Sequence, residues 1–167
     1  RMNRGYSKEK YLELIDLGRK YGPKAVITTD IIVGFPGETE EDFLETLDVV
    51  KKVGFGSAYT FIYSKRSGTP AARMENQVPH EIKKDRLNRL MAVQNEISLA
   101  NHQQMLGEVV EVLADGPSKN PGIWSGRTRT GILVLWPDEN KTYAIGQKLC
   151  VKIDTAQTWL VKGKAID

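Results

Sequence analysis

The residues best suited to chemistry lie at 31–38, Ile-Ile-Val-Gly-Phe-Pro-Gly-Glu. An apolar, β-branched run stops at a Gly-Phe-Pro-Gly corner, and an acidic helix start follows at once. Gly34 and Gly37 can adopt positive φ, which lets a flat ligand approach the main chain, and Pro36 stiffens the corner between them. The same pattern also suits a strand-to-helix turn that binds nothing, because Gly/Pro corners are common between strands and helices. A second polar stretch, Tyr63 to Ala72, follows the next apolar run and carries Ser64, Lys65 and Arg66.

A different chemistry is written into 118–131. Lys119, Trp124, Arg127 and Arg129 are interleaved there with Gly, Ser and Thr. Cations around an aromatic suit phosphate contacts and base stacking, and a solvated loop anchored by its Trp would have the same composition. Metal chemistry has little support. The single cysteine, Cys150, sits in the alternating run Leu149 to Ile153 and reads as a buried strand residue. His80 and His102 are far apart and read as solvated positions near a helix start and a helix end.

The elements that must hold these residues are legible from periodicity. Ser7 can cap a helix to about Tyr21, with Tyr11, Leu12, Leu14, Ile15 and Leu17 on one face. A strand is expected over 25–33, a helix over 39–53 and a second strand over 57–62. Thr39 is the expected N-cap, Asp42 its capping-box partner and Gly54 the C-terminal stop. Strand, crossover helix and strand imply parallel pairing, which places the 34–37 corner and the 63–72 loop at the same end of the sheet. A long scaffold helix is expected from Pro79 to about 105, its apolar stripe made by Ile82, Leu87, Leu90, Met91, Val93, Ile97 and Met105.

After Gly107 the hydrophobic period changes from 3.6 to 2. Strands are expected at 108–115, 132–136, 149–153 and 158–161, with turns at Gly116-Pro117 and at Pro137 to Asn140. This grammar suggests a small β-barrel of the oligonucleotide-binding kind, with a domain division at 103/104. The net charge of +3 in 167 residues excludes a globally basic surface, so any nucleic-acid contact must be local. No apolar run reaches membrane-spanning length and no signal peptide opens the chain, so a cytoplasmic protein is expected.

Two parallel strands and three helices do not make a self-sufficient domain, since the sheet edges need cover. The opening Arg1-Met2-Asn3-Arg4-Gly5-Tyr6 also lacks an initiator Met at the first position. The first feature leads us to expect either more chain before Arg1 or a partner chain that supplies the other strands, and the second a fragment of a longer protein.

Six phrases, taken together, resemble one family: MNRGYS at 2–7, TTDIIVGFPGETEEDF at 28–43, YSKRSGTPAA at 63–72, QVPHEIKKDRLNRL at 77–90, EVLADGPSK at 111–119 and SGRTRTG at 125–131. In this order they resemble the carboxyl-terminal part of the radical SAM methylthiotransferases, closest to the tRNA-directed branch. The resemblance implies an α/β plus all-β chain. Residues 1–103 would be the last part of a partial (βα) TIM-like radical SAM barrel, and 104–167 a TRAM domain, a small OB-like RNA-binding barrel. It implies a transferase that adds a 2-methylthio group to N6-(dimethylallyl)adenosine at position 37 of tRNA.

By the same resemblance, Ile32, Val33, Gly34, Phe35, Pro36, Gly37, Glu38, Tyr63 and Ser64 would hold S-adenosylmethionine. Arg4, Asp30 and Arg66 would lie on the substrate side, and Lys119, Trp124, Arg127 and Arg129 would contact the anticodon stem-loop of tRNA. The family uses two 4Fe–4S clusters whose cysteine ligands are absent from this sequence. No catalytic residue and no metal ligand is therefore assigned here, and the chain alone is expected to be inactive. The implied partners are tRNA and the N-terminal half of the same enzyme, in a monomer, with no membrane. Lys65 stands where the family usually has Pro, and Ile132-Leu133 is less polar than usual. Methylthiotransferases acting on a ribosomal protein or on threonylcarbamoyl-adenosine remain alternatives, as does a non-catalytic RNA-binding protein.

Overall fold

A computed structural model describes residues 2, 4–138 and 143–166. They form two compact units, Arg1–Ile97 and Ser98–Asp167. In the first unit the elements are α1 (Lys8–Tyr21), β1 (Thr28–Val33), α2 (Glu40–Val53), β2 (Ser57–Ile62) and a short 3-10 turn at Pro70–Arg73. The helix α3 (His80–Gln103) begins in this unit.

β1 and β2 pair in parallel from Thr28 opposite Ser57 to Val33 opposite Ile62. The pleat sends Ile31 and Val33 toward the helices and leaves Asp30, Ile32, Tyr59 and Phe61 on the other face, exposed. Behind the sheet, Ile15, Val33, Phe43, Leu47, Val50, Val53, Phe55 and Leu90 form the core. The spacing of Phe43, Leu47, Val50 and Val53 places all four on one stripe of α2. That helix begins with a reciprocal capping box. Thr39 Oγ1 accepts from the Asp42 N–H at 3.2 Å, and the Asp42 carboxylate accepts from the Thr39 N–H at 2.9 Å. It ends at Gly54, whose φ of 58° is left-handed.

In the second unit, β3 (Val109–Pro117), β4 (Ile123–Thr128), β5 (Leu133–Pro137), β6 (Lys148–Ala156) and β7 (Val161–Ile166) form a closed barrel in the order β3-β4-β5-β7-β6. β5 and β7 pair in parallel and the other neighbours are antiparallel. Val112, Ala114, Val134, Trp136, Val151, Ile153 and Val161 fill the interior. Two inward glycines let strands approach. A Cβ on Gly126 would strike the Leu113 carbonyl, and one on Gly163 would strike the Lys152 carbonyl. The closed five-strand arrangement is consistent with an OB-like fold.

Several expectations are corrected. β1 starts at Thr28 rather than 25, and β3 runs through Gly116-Pro117 instead of turning there. The polar stretch at 118–131 contains a strand, β4, and the last strand is Val161–Ile166 rather than 158–161. Glu139 and Asn140, half of one expected turn, lie outside the described residues, as do Arg1 and Asn3. Cys150 is on a strand but faces outward, exposed, because Leu149, Val151 and Ile153 take the inward positions. His102 is buried rather than solvated, its Nδ1 2.6 Å from the Gln157 carbonyl oxygen. His80 is exposed as expected. Within α3, Ile82 and Met91 are exposed while Lys83, Arg86 and Gln94 are buried beside Leu90. No described helix is long and apolar enough to cross a membrane.

Candidate functional site

The uncovered face of the β1–β2 sheet forms the floor of a cleft of about 1200 Å³. Asp30, Ile32, Tyr59 and Phe61 reach it because they share one side of the pleat. Tyr63, Ser64 and Arg66 enter from the loop after β2, and Arg4 and Tyr6 from the segment before α1. Six residues singled out in the sequence therefore meet here: Arg4, Asp30, Ile32, Tyr63, Ser64 and Arg66. The cleft combines apolar walls with a carboxylate, two guanidinium groups and hydroxyls. That mixture suits a partly flat, partly charged small molecule or a nucleoside.

The corner after β1 lies behind the cleft wall. Val33, Gly34 and Pro36 are buried, and none of the six residues from Val33 to Glu38 lines the cleft. Gly34 (φ 75°) and Gly37 (φ 78°) both take the left-handed conformation that their identity permits. The space beside Gly34 is filled from within, because a Cβ there would strike the stem of Lys83. Lys83 donates to the Tyr63 carbonyl at 3.2 Å and holds its ammonium over the Tyr63 ring, 5.1 Å from its centre. Phe35 meets that ring edge-on at 5.3 Å. The Tyr63 hydroxyl is buried without a hydrogen-bond partner among the described residues, a polar atom that a ligand could satisfy.

Glu38 ties the corner to α3. Its carboxylate accepts from the Gly34 N–H at 2.9 Å and from the Arg86 guanidinium at 2.8 Å. Arg86 also donates to the Glu38 carbonyl at 3.1 Å. The arginine side chain is 5% exposed and the glutamate 13%, so the pair is desolvated and charge-assisted, although Arg86 Nε has no hydrogen-bond partner among the described residues. Sequence reasoning missed Lys83 and Arg86. Their signal was the interval between them and Leu90 and Gln94, which places polar residues on the helix's inner face. At the helix rim, Arg89 holds the exposed Glu40 carboxyl below its usual range.

The barrel carries the second set. Lys119 is exposed in the β3–β4 loop, and Arg127 projects outward from β4. Arg129 follows in the turn, with its side chain 85% exposed. Arg127 lies 3.5 Å from Asp115 and Arg129 3.8 Å from Glu111, so each cation has a nearby carboxylate. Trp124 is half-buried. Its ring packs edge-on against Tyr143 at 5.5 Å, and Tyr143 in turn meets Trp136 at 5.9 Å, which makes Trp124 an anchor of the barrel end. The exposed indole is instead Trp159, 69% accessible, in the β6–β7 loop.

A 4Fe–4S cluster finds no fit here. The sole cysteine is Cys150, and no group of three or more metal-ligating side chains occurs among the described residues.

Comparison with known proteins bears out the resemblance drawn from the sequence. Residues 1–50 match the Radical SAM superfamily and residues 103–166 match the TRAM domain. Over 99% of its length the chain is 52% identical to a tRNA-2-methylthio-N(6)-dimethylallyladenosine synthase of Moorella thermoacetica, covering 37% of that protein. It is 51% identical to the protein of the same name from Acetivibrio thermocellus, with 99% of the chain and 34% of the relative covered. Against that of Caldicellulosiruptor saccharolyticus the identity is 60% over 80% of the chain and 28% of the relative. The chain thus spans about a third of the length of these relatives.

Proposed function

We propose that this chain, which belongs to the radical SAM, TRAM-containing tRNA methylthiotransferases, is the part of such an enzyme that closes one side of its reaction chamber and grips its tRNA. The reaction is the addition of a 2-methylthio group to N6-(dimethylallyl)adenosine at position 37. The observation that carries this reading is the pairing, in one chain, of an uncovered sheet face lined by Asp30, Ile32, Tyr63, Ser64 and Arg66 with a closed nucleic-acid-type barrel.

In this reading the β1–β2 sheet belongs to a partial (βα) barrel, and its open face looks into the chamber. Ile32, Tyr63 and Ser64 hold S-adenosylmethionine. The corner from Val33 to Glu38 fixes where they stand, because Glu38 and Arg86 lock it to α3. Bound there, S-adenosylmethionine supplies the radical and methyl chemistry. The chain's own residues orient the reacting groups and exclude water. Asp30, Arg66 and Arg4 face the adenosine, with charges suited to its polar edge and to phosphate. The clusters must be ligated by residues other than these, supplied by the N-terminal half of the same enzyme. The functional domains are 1–103 and 104–167, and the enzyme works as a cytoplasmic monomer.

Two measurements on the 167-residue chain test this. Incubated with S-adenosylmethionine and tRNA carrying N6-(dimethylallyl)adenosine, it should give no methylthiolated nucleoside by mass spectrometry; any product overturns the division of labour. It should bind a labelled anticodon stem-loop with a steep salt dependence, and Arg127→Ala with Arg129→Ala should flatten that slope. Absence of RNA binding by the unaltered chain overturns the tRNA role of the barrel.

A further inference from the structure

The β6–β7 hairpin carries an arrangement that barrel stability does not explain. Lys152 on β6 stands directly opposite Lys164 on β7, and Lys162, opposite Thr155, projects to the same outer side. Like charges opposed across a strand pair destabilise it. None of the three ammonium groups has an ion-pair partner among the described residues, whereas Arg127 and Arg129 each have one. The only carboxylate nearby in the hairpin, Asp154, accepts from the Thr155 hydroxyl at 2.7 Å.

The loop joining these strands adds an aromatic. Ala156 pairs with Val161, and the four residues between are closed by a Gln157 N–H to Leu160 carbonyl bond of 2.9 Å. Trp159 stands in this loop with 69% of its surface exposed, although a side chain of its kind normally packs. Trp136 lies in the core and Trp124 is held by Tyr143, so Trp159 is the indole left open to solvent. In OB-like barrels the loop between the fourth and fifth strands borders the nucleic-acid surface, and β6 and β7 hold those places here.

We infer that the β6–β7 hairpin is a second RNA contact of this barrel, with an unstacked base lying on Trp159 and backbone phosphates bridging Lys152, Lys162 and Lys164. This inference rests on the reading of the barrel as an RNA-binding domain and extends it from Arg127 and Arg129 to the β6–β7 hairpin. Phosphate oxygens between Lys152 and Lys164 remove the repulsion that the empty surface retains. An exposed indole in the same hairpin as cations is a combination that single-stranded segments use, since every base offers a π face. A loop nucleotide, not a paired stem, is the expected base partner.

The full chain, labelled stem-loop RNA and a blunt duplex of the same stem provide the test. Trp159→Ala should weaken stem-loop binding by about tenfold and leave duplex binding unchanged. Lys164→Glu should raise the melting temperature of the barrel, because it pairs with Lys152. It should also weaken RNA binding and lower the salt slope by roughly 0.7–0.9 for each phosphate no longer neutralised. A purely structural lysine would move stability and binding in the same direction. Unaltered affinity and slope in both variants, with Arg127→Ala still weakening binding, overturns the hairpin contact and leaves the barrel's RNA role standing. Failure of the unaltered chain to bind either RNA overturns both.

Discussion

The two-stranded sheet and the five-stranded barrel use the same alternation of side chains to opposite ends. In the barrel every strand has two neighbours, the inward residues fill one core, and any contact with a partner is left to the outer surface. In the sheet the helices cover one face only, and Ile32, Tyr59 and Phe61 remain exposed on the other. An exposed apolar residue on the barrel stands outside a closed core, whereas on the sheet it lines the floor of an open cleft. The difference teaches that exposure in this chain has to be read against the closure of the sheet it belongs to.

The largest effect should separate the two sheets most clearly. Trp136→Ala empties the barrel core and should cost about 3–5 kcal/mol in urea unfolding, while Phe61→Ala, on the open face, should stay within about 0.5 kcal/mol. A large loss at Phe61 would break the contrast. Next, Arg86→Ala strands the Glu38 carboxylate at a buried position and should cost about 3 kcal/mol. Replacing both members, Arg86→Met with Glu38→Gln, should restore most of it, and hydrogen exchange should place the destabilisation in the first unit alone. Gly34→Ala should cost about 1–2 kcal/mol for its positive φ, plus the clash with Lys83. Lys83→Ala added to it should relieve the clash and leave the backbone term.

The smallest effect is a pH dependence of the first unit. Arg89 lowers the Glu40 pKa from 4.5, and Lys52 and Lys8 lower that of Asp48 from 3.8. Depressed carboxylates stabilise the fold above their unfolded pKa values and lose that contribution as the pH falls through the folded ones. Melting of the first unit followed from pH 6 downward should therefore decline in acid, and Arg89→Met should blunt the decline. An unchanged profile in Arg89→Met would show the pair contributes nothing.

Local signals gave the helices accurately. Ser7, Thr39, Asp42 and Gly54 sit at the caps where their side chains or backbone freedom place them. The barrel strands were less legible, for an identifiable reason. In β4 the inward positions are Trp124 and Gly126, and in β7 they include Gly163. Glycines chosen for close strand approach read as turn residues in a linear scan. Cys150 misled because its neighbours are apolar, although it shares its side of the strand with Lys152. Tyr63, Ser64 and Arg66 were legible as the polar loop after the second strand and Ile32 as the strand before the corner, whereas Asp30, in the middle of β1, came only from the family resemblance. Lys83 and Arg86 were not, since periodicity weighs apolar residues and this helix buries cations by giving them a carbonyl, a ring and a carboxylate.

The outward Cys150 turns the barrel into a ready spectroscopic instrument. It is the only thiol in the sequence and is opposite Glu111 on one side and Ile166 on the other. A maleimide dye or nitroxide would attach at this one place without any residue being engineered in or out. Its signal would report changes on the outer face of β6, which Cys150 shares with Lys148 and Lys152, while the interior of the barrel stays dark.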